Sequence, residues 1–341
     1  MAFRLRVAVQ AGLVFASLVL ATTTSLFAQS ERGGITGVVQ DTSKAPVPGV
    51  TVKVVNTATN ATSTLVSSDA GTYSATNLSP GLYRVEAAID GFQTAAVERI
   101  TVAAGATVRI DVTLSPGAVT ETVKVEAKKA VLQSEDAKIT TNMSNQMIDQ
   151  LPLVVGGAMR SVFDLVTTVP EAKSFNTSNV TLGGGQGGAY GATLDGLSVN
   201  TNRNAETNES AFLTPSVEAI TEFAVETNGF KPEFGQAGGG VITFASKSGT
   251  NSFHGSAYDF LRNDALDSKA FFEAKKGIYR QNNFGGTWGG PVKLPGMYDG
   301  TNRTFFFMAY EGFVNRQAAN ATTLTVPTPE MYNGDLSLIH I

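Results

Sequence analysis

Residues 238 to 246 read Gly-Gly-Gly-Val-Ile-Thr-Phe-Ala-Ser. Three consecutive glycines let one backbone lie against another at a separation that any Cβ would block. The run Val241-Ile-Thr-Phe-Ala245 comes next; it is β-branched and aromatic, and it predicts a buried strand. Lys247-Ser-Gly-Thr-Asn251 then supplies turn chemistry. A chain organised around such a junction is committed to β structure with close backbone contacts. Its 35 glycines, 20 phenylalanines and only 16% charged residues fit that, and they do not fit a helical bundle.

The N-terminus predicts export. Arg4 and Arg6 precede a predominantly apolar segment from Val7 to Leu20, and small residues fill Thr22 to Ala28. That is the layout of a signal peptide over residues 1–28, with cleavage after Ala28. The apolar core is shorter than the roughly 20 residues a spanning helix needs, and no later run reaches that length. A membrane-inserted form would therefore have to be a β-barrel. The net charge of −4 provides no basic footprint for nucleic acid. With no cysteine there is no disulfide, thiol nucleophile or thiolate zinc site. The two histidines, His254 and His340, stand in no H-E-x-x-H pattern, and no G-x-S-x-G elbow occurs. No catalytic, cofactor-binding or metal-binding residue is nominated, and no enzyme is expected.

From Gly33 onward turn signals recur, at Pro48-Gly49, Asp69-Ala-Gly71, Pro80-Gly81, Asp90-Gly91 and Ala104-Gly105. Between them apolar residues alternate: Val50, Val52 and Val54; Tyr83, Val85 and Ala87; Val108, Ile110, Val112 and Leu114. The spacing predicts a β-sandwich over residues 33–116, with Thr107 to Leu114 as one strand. Ile35-Thr-Gly-Val-Val39, Val47-Pro-Gly-Val-Thr-Val52, Gly71-Thr-Tyr73, Leu78-Ser-Pro-Gly-Leu-Tyr-Arg-Val85 and Gly91-Phe92 resemble the carboxypeptidase regulatory-like domain. That resemblance implies a transthyretin-like sandwich, also grouped with carbohydrate-binding-like folds, and no peptidase activity. Sugar binding would rest on fold analogy alone, and no exposed aromatic cluster supports it.

Residues 131–250 change character. Met143, Met147, Ile148 and Leu151 share one helical face ended by Pro152, and Val162, Phe163, Leu165 and Val166 predict a second short helix. Ala192 to Val199 reads as a hairpin turning at Asp195-Gly196, Ser216 to Ile220 as a helical turn, and Glu222 to Thr227 as a strand. Together these make an α+β globule. Gly183, Gly185 and Gly188 satisfy G-x-G-x-x-G, but a strand follows where a dinucleotide site needs a helix, so they are read as a flexible, surface-facing loop. Leu151-Pro-Leu153, Leu194-Asp-Gly-Leu197, Pro215-Ser-Val-Glu-Ala-Ile-Thr-Glu-Phe223 and the stretch from Phe230 to Gly255 resemble the plug of TonB-dependent outer-membrane receptors, of the Oar-like kind with an extra N-terminal domain. Val154-Val-Gly-Gly157 departs from the Gly-Arg-Asn-type turn expected there.

Between sandwich and plug, in the linker 117–130, lies Glu121-Thr122-Val123-Lys124-Val125-Glu126-Ala127. By its pattern it could be a last sandwich strand. Followed by plug landmarks, it is similar to the TonB box, through which such receptors engage TonB by adding a strand to a partner's sheet edge.

In residues 251–341, Ser252 to Arg262, Asn282 to Val292 and Arg303 to Phe313 carry the aromatic, strand-length pattern of a membrane barrel. Gly289-Gly-Pro-Val292, Thr304-Phe-Phe-Phe307, Tyr310-Glu-Gly312, Pro327-Thr-Pro-Glu-Met331 and Gly334-Asp335 extend the Oar-like resemblance. His254 is read as a rim or lumen residue. Three strands cannot close, and plugged transporters have roughly 22, so the chain is expected to be the N-terminal part of a longer protein.

The expected fold is mainly β: a transthyretin-like sandwich, an α+β plug, and the first strands of an incomplete transmembrane barrel. The resemblance implies TonB-dependent active transport across the bacterial outer membrane, with the N-terminal domain periplasmic. Implied partners are TonB, outer-membrane lipid and an unidentified extracellular ligand, with siderophore, oligosaccharide and peptide all open; no cofactor is implied. The competing expectation is a secreted or periplasmic β-rich adhesion or carbohydrate-binding protein without transport.

Overall fold

A computed structural model describes residues 32–117, 122–126, 139–144, 147–148, 159–174, 180–200, 215–230, 234–235, 237–269, 276–317, 328–334 and 337. The expected signal peptide, the Leu151-Pro-Leu153 and Val154 to Gly157 landmarks, and His340 lie outside these. The described residues are mainly β.

The N-terminal sandwich is built from β1 (Gly33–Asp41), β2 (Thr51–Asn56), β3 (Thr62–Val66), β4 (Thr72–Leu78), β5 (Gly81–Ala88), β6 (Thr94–Val102), β7 (Thr107–Arg109) and β8 (Val112–Leu114). One sheet runs β4-β1-β7, with β8 also on β1. The other runs β3-β2-β5-β6 and ends on β9 (Thr122–Glu126). Alternation along each strand turns Ile35, Val39, Val52, Val54, Val85, Ile100, Val102, Val112 and Leu114 into the shared core, all nearly inaccessible.

The single strand expected from Thr107 to Leu114 is two. Both pieces pair in parallel with β1 at the same offset, Ile35 with Val108 and Val39 with Val112. The ladder is interrupted at Ile110-Asp111. There the Asp111 carboxylate replaces a backbone acceptor, and the Val38 N–H donates to its Oδ1 at 2.9 Å. The Tyr73 hydroxyl donates to the Ile110 carbonyl at 2.6 Å. Gly37 permits this arrangement, since a Cβ there would stand 1.8 Å from the same carbonyl oxygen.

The central domain comprises β10 (Ile139–Ser144), α1 (Val162–Val166), β11 (Ala172–Ser174), β12 (Val180–Leu182), β13 (Tyr190–Leu194), β14 (Leu197–Ser198), a 3₁₀ turn at Val217–Ala219, β15 (Ile220–Asn228) and β16 (Gly240–Ser246). Its sheet runs β10-β15-β16-β13-β14, and β11 pairs with β12 apart from it. Helix α1, the helical turn and the hairpin at Asp195-Gly196 fall where the sequence puts them. Ser161 caps α1 in a reciprocal box with Asp164. Phe163 meets Phe244 edge-on, ring centroids 5.1 Å apart, at the centre of the core. One expectation fails. Met143 belongs to no helix but to β10, facing the core opposite Phe223. β10 ends at Ser144, and the expected helix holds at Met147 and Ile148, which are helical.

The C-terminal strands are β17 (His254–Asn263), β18 (Tyr279–Pro291) and β21 (Phe305–Gln317), hydrogen-bonded in the order β17-β18-β21; β19 (Lys293–Leu294) and β20 (Tyr298–Asp299) form a small hairpin between them. A short helix α2 (Pro329–Tyr332) comes last. Among the described residues these barrel strands form an open sheet. Two compact units divide the chain, one holding Met1–Val154, Arg160–Ala257 and Gly286–Tyr310, the other Val155–Met159, Tyr258–Gly285 and Glu311–Ile341. In the first, Ser256 and Thr287 meet at 2.9 Å on one face, while Trp288 stacks edge-on against Phe306 at 4.8 Å on the other. In the second, Gln281 and Asn283 are buried while Arg280 and Phe284 are exposed. No helix among the described residues is long and apolar enough to cross a membrane, which says nothing of strands.

Candidate functional site

The segment expected to couple the protein to its partner is a strand. Thr122, Val123, Lys124, Val125 and Glu126 form β9, paired in parallel with Thr94, Ala95, Ala96, Val97 and Glu98 of β6. Glu121 and Ala127 lie outside the described residues. The parallel sense results from the route. After β6 the chain crosses to the first sheet for β7 and β8, then returns to the second, and such a crossover returns a strand parallel to the one it left. Of the two sequence readings, the pairing shows the first: β9 is the last strand of a sandwich sheet. β9 ends its sheet, and the next described element, β10, is the edge strand of the central sheet.

Two contacts tie the sandwich to later parts of the chain. The turn between β6 and β7 offers the Ala104 N–H, which donates to the Glu222 carboxylate on β15. Burial raises the Glu222 pKa to about 7, with the Ala104 hydrogen bond opposing the shift. The second contact is a node of three asparagines. Asn60, in the β2–β3 turn, donates its Nδ2 to Asn302 Oδ1 at 2.8 Å, and Asn251 Nδ2 donates to the same oxygen at 2.7 Å. The Asn302 N–H donates to Asn251 Oδ1 at 2.7 Å, and the Asn251 N–H to the Ala58 carbonyl at 3.1 Å. Asn60 and Asn302 both hold positive φ, 58° and 62°, which asparagine tolerates better than most residues. Sequence reasoning missed this node. The available signal was turn asparagine at positions 60, 251 and 302, which carries no indication of partner.

The glycine clusters also find each other. A Cβ on Gly239 would stand 2.4 Å from the Leu182 carbonyl oxygen, and one on Gly185 would stand 2.8 Å from Gly239 Cα. The loop read as flexible is held by Gly185 N–H to Leu182 O at 2.8 Å and Gly188 N–H to Val180 O at 3.1 Å. At the other end of this sheet Asp195 Oδ1 and Oδ2 accept from the Ser246 N–H and hydroxyl at 2.9 and 2.6 Å, fixing the Asp195-Gly196 hairpin to the end of β16. His254 opens β17 on the surface, its Nδ1 3.0 Å from the Ser252 carbonyl. Among the described residues no group of three or more His, Asp or Glu side chains is placed to hold a metal.

Comparison with known proteins bears on these parts separately. Residues 34–115 match the family profile of the carboxypeptidase regulatory-like domain, and residues 245–340 that of an outer membrane beta barrel domain. The TonB-dependent transporter Oar of Myxococcus xanthus is 28% identical over 303 residues, covering 84% of this chain and 27% of its own length. The chain thus spans about a quarter of that curated relative's length. Two likenesses to solved structures are slight. The siderophore receptor PirA of Acinetobacter baumannii matches 45% of this chain and 22% of its own at 19% identity, TM-score 0.34. A hydroxyquinol 1,2-dioxygenase of Pseudomonas putida matches 25% of this chain and 57% of its own at 8% identity, TM-score 0.20. Neither score carries an argument. The family match and the curated relative place the chain in the bacterial outer membrane, and that relative is a transporter, not an enzyme.

Proposed function

We propose that this outer-membrane chain of the Oar-like TonB-dependent receptor type takes part in TonB-dependent active transport. The observation that carries the reading is the position of β9: an extended strand at a sheet edge, between the sandwich and a domain whose first strand is itself an edge strand. In this reading residues 121–127 are the TonB box and residues 1–28 the signal peptide. The sandwich lies in the periplasm, and the central domain plugs a barrel begun by β17, β18 and β21. Ligand binds at the outer surface. TonB, drawing on the inner-membrane proton gradient, pulls on the box and rearranges the plug.

The test uses Val125→Pro in cells expressing the protein from its own locus, supplied with a labelled panel of siderophores, oligosaccharides and peptides. Proline removes a backbone donor from an extended strand and so prevents its addition to another sheet. Energised uptake is expected to disappear while surface binding of the same compound persists. Undiminished uptake in the variant defeats the assignment.

A further inference from the structure

We infer that one end of the sandwich is a clasp between the central sheet and the first barrel strands, so that the central domain shifts against those strands only when the sandwich lets go. In naming a plug and a barrel this rests on the transport reading above. β2 and β6 are each antiparallel to β5, so they run the same way and finish at the same end of their sheet. The turns that leave them, 57–61 and 103–106, project from that end, and both reach beyond the sandwich. Ala104 meets Glu222, Asn60 meets Asn302, and the Ala58 carbonyl accepts from the Asn251 N–H. Both turns are held in shape by their own domain. Asn56 Oδ1 accepts from the Ala58 and Thr59 N–H groups at 2.9 and 3.1 Å, and the Asn60 N–H donates to the Asn56 carbonyl at 2.8 Å. In the other turn the Ala106 N–H donates to the Ala103 carbonyl at 3.2 Å, and the Ala106 carbonyl accepts from the Gly34 N–H at 3.0 Å.

The two contacts land on different sheets. Glu222 is on β15, between β10 and β16 in the central sheet. Asn251 lies in the segment that joins β16 to β17, and Asn302 in the turn that leads into β21; β17 and β21 flank β18. One end of the sandwich thus grips β15 and, separately, the entries to β17 and β21. A hydrogen bond is lost once its heavy atoms part beyond about 3.5 Å. β15 therefore cannot slide far against the entries of β17 and β21 while both contacts stay closed. Either contact alone is weak, since its groups can bond to water when it opens. Carried on one rigid body they reinforce each other, because closing the first presents the second at high effective concentration. In the transport reading, rearrangement of the central domain begins with the opening of this clasp.

The test is hydrogen exchange in the full-length protein in outer-membrane vesicles, comparing Asn302→Gly and Asn60→Gly with the unaltered chain. Glycine keeps the positive φ of both positions, 62° and 58°, and removes the side chain that joins them. The readout is the Ala104 amide, resolved on overlapping peptides, because it belongs to the other contact and neither change touches it. If the two contacts act as one clasp, each variant exchanges there at least about fivefold faster, the worth of one such hydrogen bond. β5, where Val85 and Ala87 are inaccessible, should stay protected and report a folded sandwich. Should Asn60→Gly loosen β5, Asn302→Gly decides, since it lies outside the sandwich. Lys44→Gly is the control. Its φ is 67°, and β1 leads from the Gly34–Ala106 contact at the clasp end to the Lys44 turn at the opposite end, so Ala104 should exchange as in the unaltered chain. A change at Ala104 of less than about twofold in Asn302→Gly overturns the inference, because the contacts are then independent. An Ala104 amide that already exchanges like an exposed turn in the unaltered chain overturns it too, since no clasp is then closed. The measurement involves neither ligand nor energy coupling. Its failure leaves the transport reading standing, and undiminished uptake in Val125→Pro defeats that reading without touching the docking.

Discussion

Gly239 shows how one absent side chain can hold two segments together. Its Cα side faces Leu182 and Gly185, and a methyl group would have to enter space held by the Leu182 carbonyl, 2.4 Å away. Backbone cannot swing aside as a side-chain tip can. Gly239→Ala is expected to destabilise the protein by about 1–3 kcal/mol in urea titration, whereas Gly235→Ala, with nothing within 4 Å of the added carbon, should stay within about 0.5 kcal/mol. Glu222 is the other residue whose surroundings dictate behaviour. Its acid form is favoured in the folded state, with a pKa of about 7 against an ordinary 4.5. The stabilisation relative to higher pH is therefore complete below about 4.5 and is lost as pH rises through about 7, an effect on the order of 3 kcal/mol. Hydrogen exchange near Ala104, corrected for intrinsic rate, should accelerate across that window. In Glu222→Gln, which keeps an oxygen acceptor and cannot ionise, the step should vanish.

At the level of elements, the sequence conveys what is local and hides what is not. Alternation is a property of one strand, so the faces of β2 and β5 could be read directly, as could the buried run of β16, the helix at Val162–Val166 and the turn at Asp195-Gly196. Partnership belongs to two segments and leaves no local trace. Nothing in Thr122–Glu126 announces β6 as its neighbour, and nothing in Gly183–Gly185 announces Gly239. Met143 shows the opposite failure, where a helical spacing joined a strand residue to Met147 and Ile148, which are helical. The interruption between β7 and β8 was hidden because the apolar alternation runs through it unbroken, while Asp111 and Gly37 alter the backbone behind it. That break makes a measurable claim. Burial, and then the nearby Asp111 charge, hold the Tyr73 hydroxyl protonated well above the ordinary range, so it serves as a permanent donor to the Ile110 carbonyl. Tyr73→Phe leaves that buried acceptor without this donor and should cost about 1–3 kcal/mol in thermal unfolding of the sandwich. A change under about 0.5 kcal/mol would mean the carbonyl finds another donor.

For the molecule as a whole, the question is which surface meets lipid, and the chain carries its own probe. Trp288 is the only tryptophan. It is half exposed, at 53%, and lies 6.4 Å from the Phe253 ring and 4.8 Å edge-on from the Phe306 ring. Its chain neighbour Thr287 points to the opposite face, toward Ser256. Three large aromatic rings on one face, near the ends of β17, β18 and β21, with hydroxyls on the other, are the layout of an aromatic girdle at a membrane interface. The same outward face carries exposed Met308 and Tyr310 farther along β21. Water contact along this face would leave a large apolar patch without cover, an arrangement that soluble monomers avoid. In bilayers containing brominated lipids, Trp288 fluorescence should therefore be quenched, more by bromine near the headgroup than by bromine near the bilayer centre. Aqueous acrylamide should quench it little. The reverse pattern, strong acrylamide quenching with none from brominated lipid, would assign the aromatic face to a protein partner or to solvent. The strands from His254 to Gln317 would then need a different environment from the one argued for them.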